Sequence, residues 1–243
     1  WGTKEVTVKA VQAQNDLMEP GAPVENERIL AAIKEGSLKM EDLDRNVRNM
    51  LNYIVRTPHF RGYKYSDNPD LKAHAQLVRE AATQGMVLLK NKANALPMKD
   101  IKNVALFGLT AYHSIAGGTG SGNVNKAYVR NIDEGLAAAG FTLDEKLATY
   151  YKDYLKTANE KAAINAGQGG GFGVLLGEAV VPDPAIDKQA IKNTVTRNDA
   201  AVIVIGRNAG EGDDRRVEND WNLTAAETDL INTVCNYYHQ AGQ

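Results

Sequence analysis

Glu211 stands in the run Asn208-Ala209-Gly210-Glu211-Gly212-Asp213-Asp214-Arg215-Arg216, directly after the apolar stretch Ala200–Gly206. A carboxylate in such a place can give or take a proton, or attack an electrophilic carbon. Glycines on both sides let the backbone bring that one carboxylate close to a ligand. Arg215 is placed to pair with Asp213 or Asp214 and so to fix the loop. In an open α/β sheet, ligands bind beyond the carboxyl ends of the strands, which is where this loop falls. On spacing alone, a solvated charged turn would have the same composition.

The second cluster is Gly117-Gly118-Thr119-Gly120-Ser121-Gly122. Phosphate-cradling loops are its nearest look-alikes, but Asn123 stands where such a loop needs lysine. The interval from Gly108 to Gly117 also fits poorly with a strand running straight into a dinucleotide fingerprint. A structural or sugar-facing loop is the better reading. His59, His74, His113 and His239 show no metal-ligand spacing, and no Cys/His cluster accompanies them. No Gly-x-Ser-x-Gly elbow is present. The expectation is therefore chemistry without metal or cofactor.

These loops need a scaffold. Val104–Gly108 and Ala200–Gly206 read as short, nearly all-apolar strands of the kind covered on both faces. Helices are expected over 131–140, 148–163, 186–196 and 224–240. The last opens on a capping box, Thr224 to Glu227, with apolar Leu230, Ile231, Val234 and Tyr238. Cys235 in that helix reads as a small buried hydrophobe. Alternating strands and helices argue an α/β domain with a mostly parallel sheet. Upstream, two helices span about 25–56, broken at Gly36-Ser37, with Ser37 a natural N-cap of the second. Leu43, Val47, Met50, Leu51 and Ile54 would face a core. Residues 57–70, with Phe60, Tyr63 and Tyr65 among Pro and Gly, read as a linker lying against a surface, and a helix follows over 70–85. The glycine stretch 166–173 is expected to be mobile, since fixing it costs much entropy.

Taken together, these residues resemble glycoside hydrolase family 3. Leu77-Val78-Arg79-Glu80-Ala81-Ala82, Gly85-Met86-Val87-Leu88-Leu89-Lys90-Asn91 and Leu96-Pro97 look like the entry to that family's second domain. Val104-Ala105-Leu106-Phe107-Gly108 is similar to its first strand. Gly118–Gly122 resembles a sugar-facing loop, and Gly210–Arg215 the loop bearing the acid/base. Asn15–Gly21 looks like a loop near the end of the family's barrel, although Ala13-Gln14 replaces the usual alanine-glycine. Trp1-Gly2 matches the residues just after the family's nucleophilic aspartate, which would fall one position before Trp1.

The resemblance implies an α/β fold: residues 1–57 as the end of a (β/α) barrel, 58–83 as an interdomain linker and helix, and 84–243 as the first part of an α/β sandwich. It implies a retaining β-glycosidase of β-glucosidase type working by double displacement, of which this chain is only a part. Glu211 would be the acid/base, Trp1 a platform for the leaving-group sugar, and Ser121 a hydrogen-bond partner of a sugar hydroxyl. The expected partners are a β-glucoside or oligosaccharide and the remaining barrel and C-terminal parts of the same enzyme. Two other readings stay open: a non-catalytic sugar-binding domain of the same ancestry, and a nucleotide-binding domain resting on the glycine loop.

Bulk properties agree with a soluble globular chain. Of 243 residues, 43% are hydrophobic and 24% charged, enough for a real core. A net charge of −2 offers no basic field for nucleic acid or anionic lipid. No apolar run approaches the ~18–20 residues that cross a bilayer. The single cysteine cannot form an internal disulfide. Cytoplasm, periplasm and export all remain compatible, as does a homo-oligomer.

Overall fold

A computed structural model describes residues 6–19, 21–118, 122, 124–166, 181–208 and 215–242, with the side chains of 160–166 and 219 outside the description. The chain forms two compact units, Trp1–Leu88 and Leu89–Gln243.

The first unit is helical: α1 (Thr7–Gln12), α2 (Pro23–Glu35), α3 (Met40–Ile54) and α4 (Leu71–Gly85). Proline opens α2, where its missing N–H costs nothing, and Gly36 closes it in the left-handed conformation at φ 77°. Val11, Ala32 and Leu38 form its small buried core, with Val8, Met18, Ile29 and Ile33 packed around them. Two expectations fail here. Ser37 does not cap α3: Lys39 takes that position without a side-chain bond, and the Ser37 hydroxyl donates back to the Ala32 carbonyl, closing α2 instead. The expected core face of α3 is also only partly covered: Leu43 and Met50 are half-buried, but Val47 is 49%, Leu51 56% and Ile54 43% exposed. The residue of α3 that is buried is Asn46, whose amide donates to the Asn15 carbonyl at 3.1 Å. Apolar side chains are buried only where another element covers them, and α1 covers the polar side of α3. Phe60, Tyr63 and Tyr65 of the expected linker are exposed among the described residues. Asp70 caps α4, accepting from the Ala73 N–H at 2.9 Å.

The second unit is built on β1 (Asn103–Phe107), β2 (Thr142–Leu143) and β3 (Ala200–Ile203). All pairings are parallel and β1 lies in the middle, so the order is β2-β1-β3. Val104 through Phe107 are fully buried, as a central parallel strand requires. Edge strand β3 is only partly covered, short of the double covering expected for it. Around the sheet run α5 (Ile132–Ala138), α6 (Glu145–Ala166), α7 (Lys188–Val195) and α8 (Ala225–Gln240). Tyr151, Leu155, Ile191, Val234 and Tyr238 close the core against β1. Cys235 is exposed, on the face of α8 away from that core. Thr224 caps α8 reciprocally with Glu227, as the sequence predicts. At the amino-terminal end of the sheet, burial raises the pKa of Asp144. Bonds from Asn198, the Leu147 N–H and Arg197 more than offset this and hold it below the carboxylate range.

β2 and β3 flank β1 on opposite sides, so the chain passes from β1 to a neighbour on one side and returns across it to β3 on the other, which reverses the strand order between β1 and β3. That is a topological switch point, where open parallel sheets form a crevice at their carboxyl ends.

Candidate active site

Two loops meet at this crevice. The loop leaving β1 begins at Gly108, whose φ of 98° and close approach to the Val204 carbonyl leave no room for a β-carbon. Its N–H donates to the buried Tyr151 hydroxyl at 2.8 Å, and Tyr151 stacks on Tyr112 with centroids 5.1 Å apart. Tyr112 in turn donates to the Leu106 carbonyl. One helical turn, Leu109–Ala111, follows, and the Leu109 N–H donates to Asp183 Oδ1 at 2.5 Å. Burial, with Glu227 nearby, pushes the Asp183 carboxyl above its ordinary pKa, opposed by the Leu109 bond and by Arg207.

The loop leaving β3 passes Gly206, against which the Thr110 side chain sits so closely that no β-carbon would fit. A cavity of about 240 Å³ opens between the two loops, lined by Thr110, His113, Ser114, Lys126, Asn131 and Asn208. Gly117 and Gly118 border it as well. Thr110 Oγ1 and Asn208 Oδ1 are buried there with no hydrogen-bond partner among the described residues, so the cavity offers polar atoms to a hydroxylated ligand. Ser114 is held in place by Asn131, which accepts from its N–H at 2.9 Å.

Arg207 braces the exit of β3. Its guanidinium grips both carboxylate oxygens of Glu227, at 2.5 and 2.7 Å. It also donates to the carbonyls of Gly206, Asp220 and Asn222. Its bonds hold the Glu227 carboxyl below the usual range, and Glu227 pushes the Arg207 pKa up. The returning end of the loop is a wide turn, Val217–Trp221, in which Trp221 N–H reaches the Arg216 carbonyl and Asn222 N–H the Val217 carbonyl. Arg215 pairs with Asp220 at 2.9 Å, a partner the sequence reading did not name. Among the described residues no group of His, Cys, Asp and Glu could hold a metal ion, and no helix is long and apolar enough to cross a membrane.

Glu211, Ser121, Trp1, Asp213, Asp214 and most of the glycine stretch 166–173 lie outside the described residues. What the fold brings together are the flanks: Gly118 of the glycine loop and Asn208 of the acidic loop border one cavity. Asp183, Arg207 and Asp220 were missed by sequence reasoning. Glu227 was found only as a cap. Its i, i+3 signal hid a second use that depends on Arg207, twenty positions away.

The chain is similar to proteins already known. Residues 86–241 match the glycosyl hydrolase family 3 C-terminal domain. Beta-glucosidase A of Butyrivibrio fibrisolvens is 33% identical over 161 residues, 65% of this chain and 18% of the relative. Beta-glucosidase B of Emericella nidulans is 35% identical over 147 residues, 57% of this chain and 17% of the relative. Beta-glucosidase 3B from Thermotoga neapolitana, solved in complex with alpha-D-glucose, superposes with a TM-score of 0.80 at 38% identity. That match covers 98% of this chain and 33% of the solved one. The chain thus spans a third or less of the proteins it matches.

Proposed function

This chain belongs to glycosyl hydrolase family 3, and from that membership we propose that it is part of a retaining β-glucosidase-type enzyme. Its substrates are β-linked gluco-oligosaccharides, such as those released from cellulose, or aryl β-glucosides, with β-xylosides next. Glu211 is the general acid/base. An aspartate of the barrel attacks the anomeric carbon while Glu211 protonates the departing oxygen. Water activated by the same residue then hydrolyses the glycosyl-enzyme. Ser121 holds a sugar hydroxyl, and Trp1 packs against the leaving-group sugar.

The observation that carries this reading is the switch-point crevice: the flanks of the Ser121 and Glu211 loops line one cavity of mixed polar and apolar residues at the carboxyl ends of β1 and β3. The acid role needs a carboxyl whose pKa rises when the sugar excludes water.

The test is Glu211→Gln in the intact enzyme that carries this segment. Hydrolysis of a β-linked glucose disaccharide should fall by roughly 10²–10⁴-fold. The first step on an aryl glycoside with an acidic leaving group should be spared. Unchanged disaccharide hydrolysis would move the role to another carboxylate, Asp213 first.

A further inference from the structure

Glu211 lies four residues after Arg207 and four before Arg215, and both arginines are tied to Asp220. The Arg207 Nε–H donates to the Asp220 main-chain carbonyl. The Asp220 carboxylate accepts from Arg215 Nε at 3.1 Å and from the Arg216 N–H at 2.9 Å. One residue therefore joins the outgoing and returning feet of the loop.

Arg207 completes the bracket. A guanidinium carries five N–H donors in a rigid fork. All five here reach protein acceptors: Glu227 twice, and the carbonyls of Gly206, Asp220 and Asn222. None is left over for a sugar hydroxyl. Glu227 is itself immobilised, since one of its oxygens also accepts from the Thr224 N–H at 2.7 Å while its own N–H donates to the Thr224 hydroxyl. The fork is thus clamped to the first turn of α8 and, through it, to the core that Val234 and Tyr238 anchor.

A general acid acts only within hydrogen-bond reach of the oxygen it protonates, and a misplacement of about 1 Å can cost ~10²-fold. Residues 210 and 212 are glycine, the residue type with the most backbone freedom to lose on ordering. Fixing both ends of a short loop is the direct way to reduce that freedom. We propose that Arg207 is a positioning residue for the general acid, acting through Asp220 and Glu227 on the two feet of its loop and making no contact with substrate. The inference rests on the assignment of Glu211.

Arg207→Lys keeps the charge but replaces the five-donor fork by three donors at one point. In the intact enzyme, kcat/KM is measured across aryl β-glucosides of graded leaving-group acidity for wild type, Arg207→Lys, Asp220→Asn and Glu211→Gln. Arg207→Lys should lose roughly 10–10²-fold on the poorest leaving groups and under about threefold on the most acidic. The dependence on leaving group therefore steepens toward that of Glu211→Gln. Asp220→Asn keeps the carbonyl that Arg207 uses but weakens the Arg215 tie, and should fall between wild type and Arg207→Lys. It carries the test by itself if Arg207→Lys does not fold. A loss equal across all leaving groups in these variants, beside a steep Glu211→Gln, would mark a merely structural arginine and overturn the proposal alone. A flat Glu211→Gln series would remove the acid/base assignment and the proposal with it.

Discussion

The Thr110 side chain fills the space that a β-carbon on Gly206 would occupy. This contact joins the two loops that flank the cavity, because Thr110 lies on one and Gly206 on the other. Gly206→Ala should push Thr110 aside and cost ~1–3 kcal/mol, as overpacking does. Adding Thr110→Ala should restore much of the loss, since that neighbour is a side chain that can be trimmed. Thermal unfolding of the two single variants and the double variant measures the coupling; strictly additive losses would contradict it.

Gly108→Ala offers the contrast. Its obstacle is the Val204 main-chain carbonyl, and its φ is positive, so no side-chain trimming can relieve it. A loss of about 3 kcal/mol or more is expected. Denaturant titration checks it, and a loss under ~1 kcal/mol would mean that β1 and β3 separate more easily than their register suggests.

The Arg207–Glu227 clamp makes a pH-dependent contribution. The folded carboxyl lies below its ordinary pKa because Arg207 binds it. Its contribution is then fully present above the unfolded value of ~4.3 and is lost as pH falls through the lower folded value. Glu227 is almost fully buried and Arg207 is about a quarter exposed, so Glu227→Gln should cost roughly 2–3 kcal/mol at pH 7. The cost should shrink toward pH 3. A destabilisation independent of pH would show that the cap, which glutamine retains in part, and not the ion pair, is what counts.

Asp183 should respond in the opposite sense. Burial favours its protonated form in the fold, so its ionisation works against stability as pH rises through the raised value. Asp183→Asn keeps an oxygen to accept from the Leu109 N–H and sheds the charge. Its melting temperature should exceed that of wild type at pH 7, and the gap should narrow at pH 3.5. A variant less stable at pH 7 would show that attraction to Arg207 outweighs burial.

Much of this architecture is legible in the chain itself. The apolar runs of β1 and β3, the break at Gly36 and the reciprocal Thr224–Glu227 cap are local signals, and each gives its element close to the observed bounds. Strand β2 is two residues long and lacks periodicity to read. Helix α1 and the wide turn Val217–Trp221 are similarly short. The buried face of α3 was misread because, among the described residues of its own unit, Val47, Leu51 and Ile54 stay exposed, while Asn46 turns inward to a main-chain carbonyl. In the candidate site, the glycine-flanked carboxylate was visible. The Arg207 bracket was not, since it exists only once β3 and α8 are packed side by side.

The general acid/base is tested most directly by chemical rescue. The intact enzyme carrying Glu211→Gln is given an aryl β-glucoside with an acidic leaving group, with and without azide, and the products are identified. Because the first step needs little protonation, the glycosyl-enzyme forms and then waits for a base that is gone. Azide attacks without one, so turnover should rise with azide concentration and the product should be the β-glycosyl azide. No acceleration, or an azide product of the α configuration, would contradict the account.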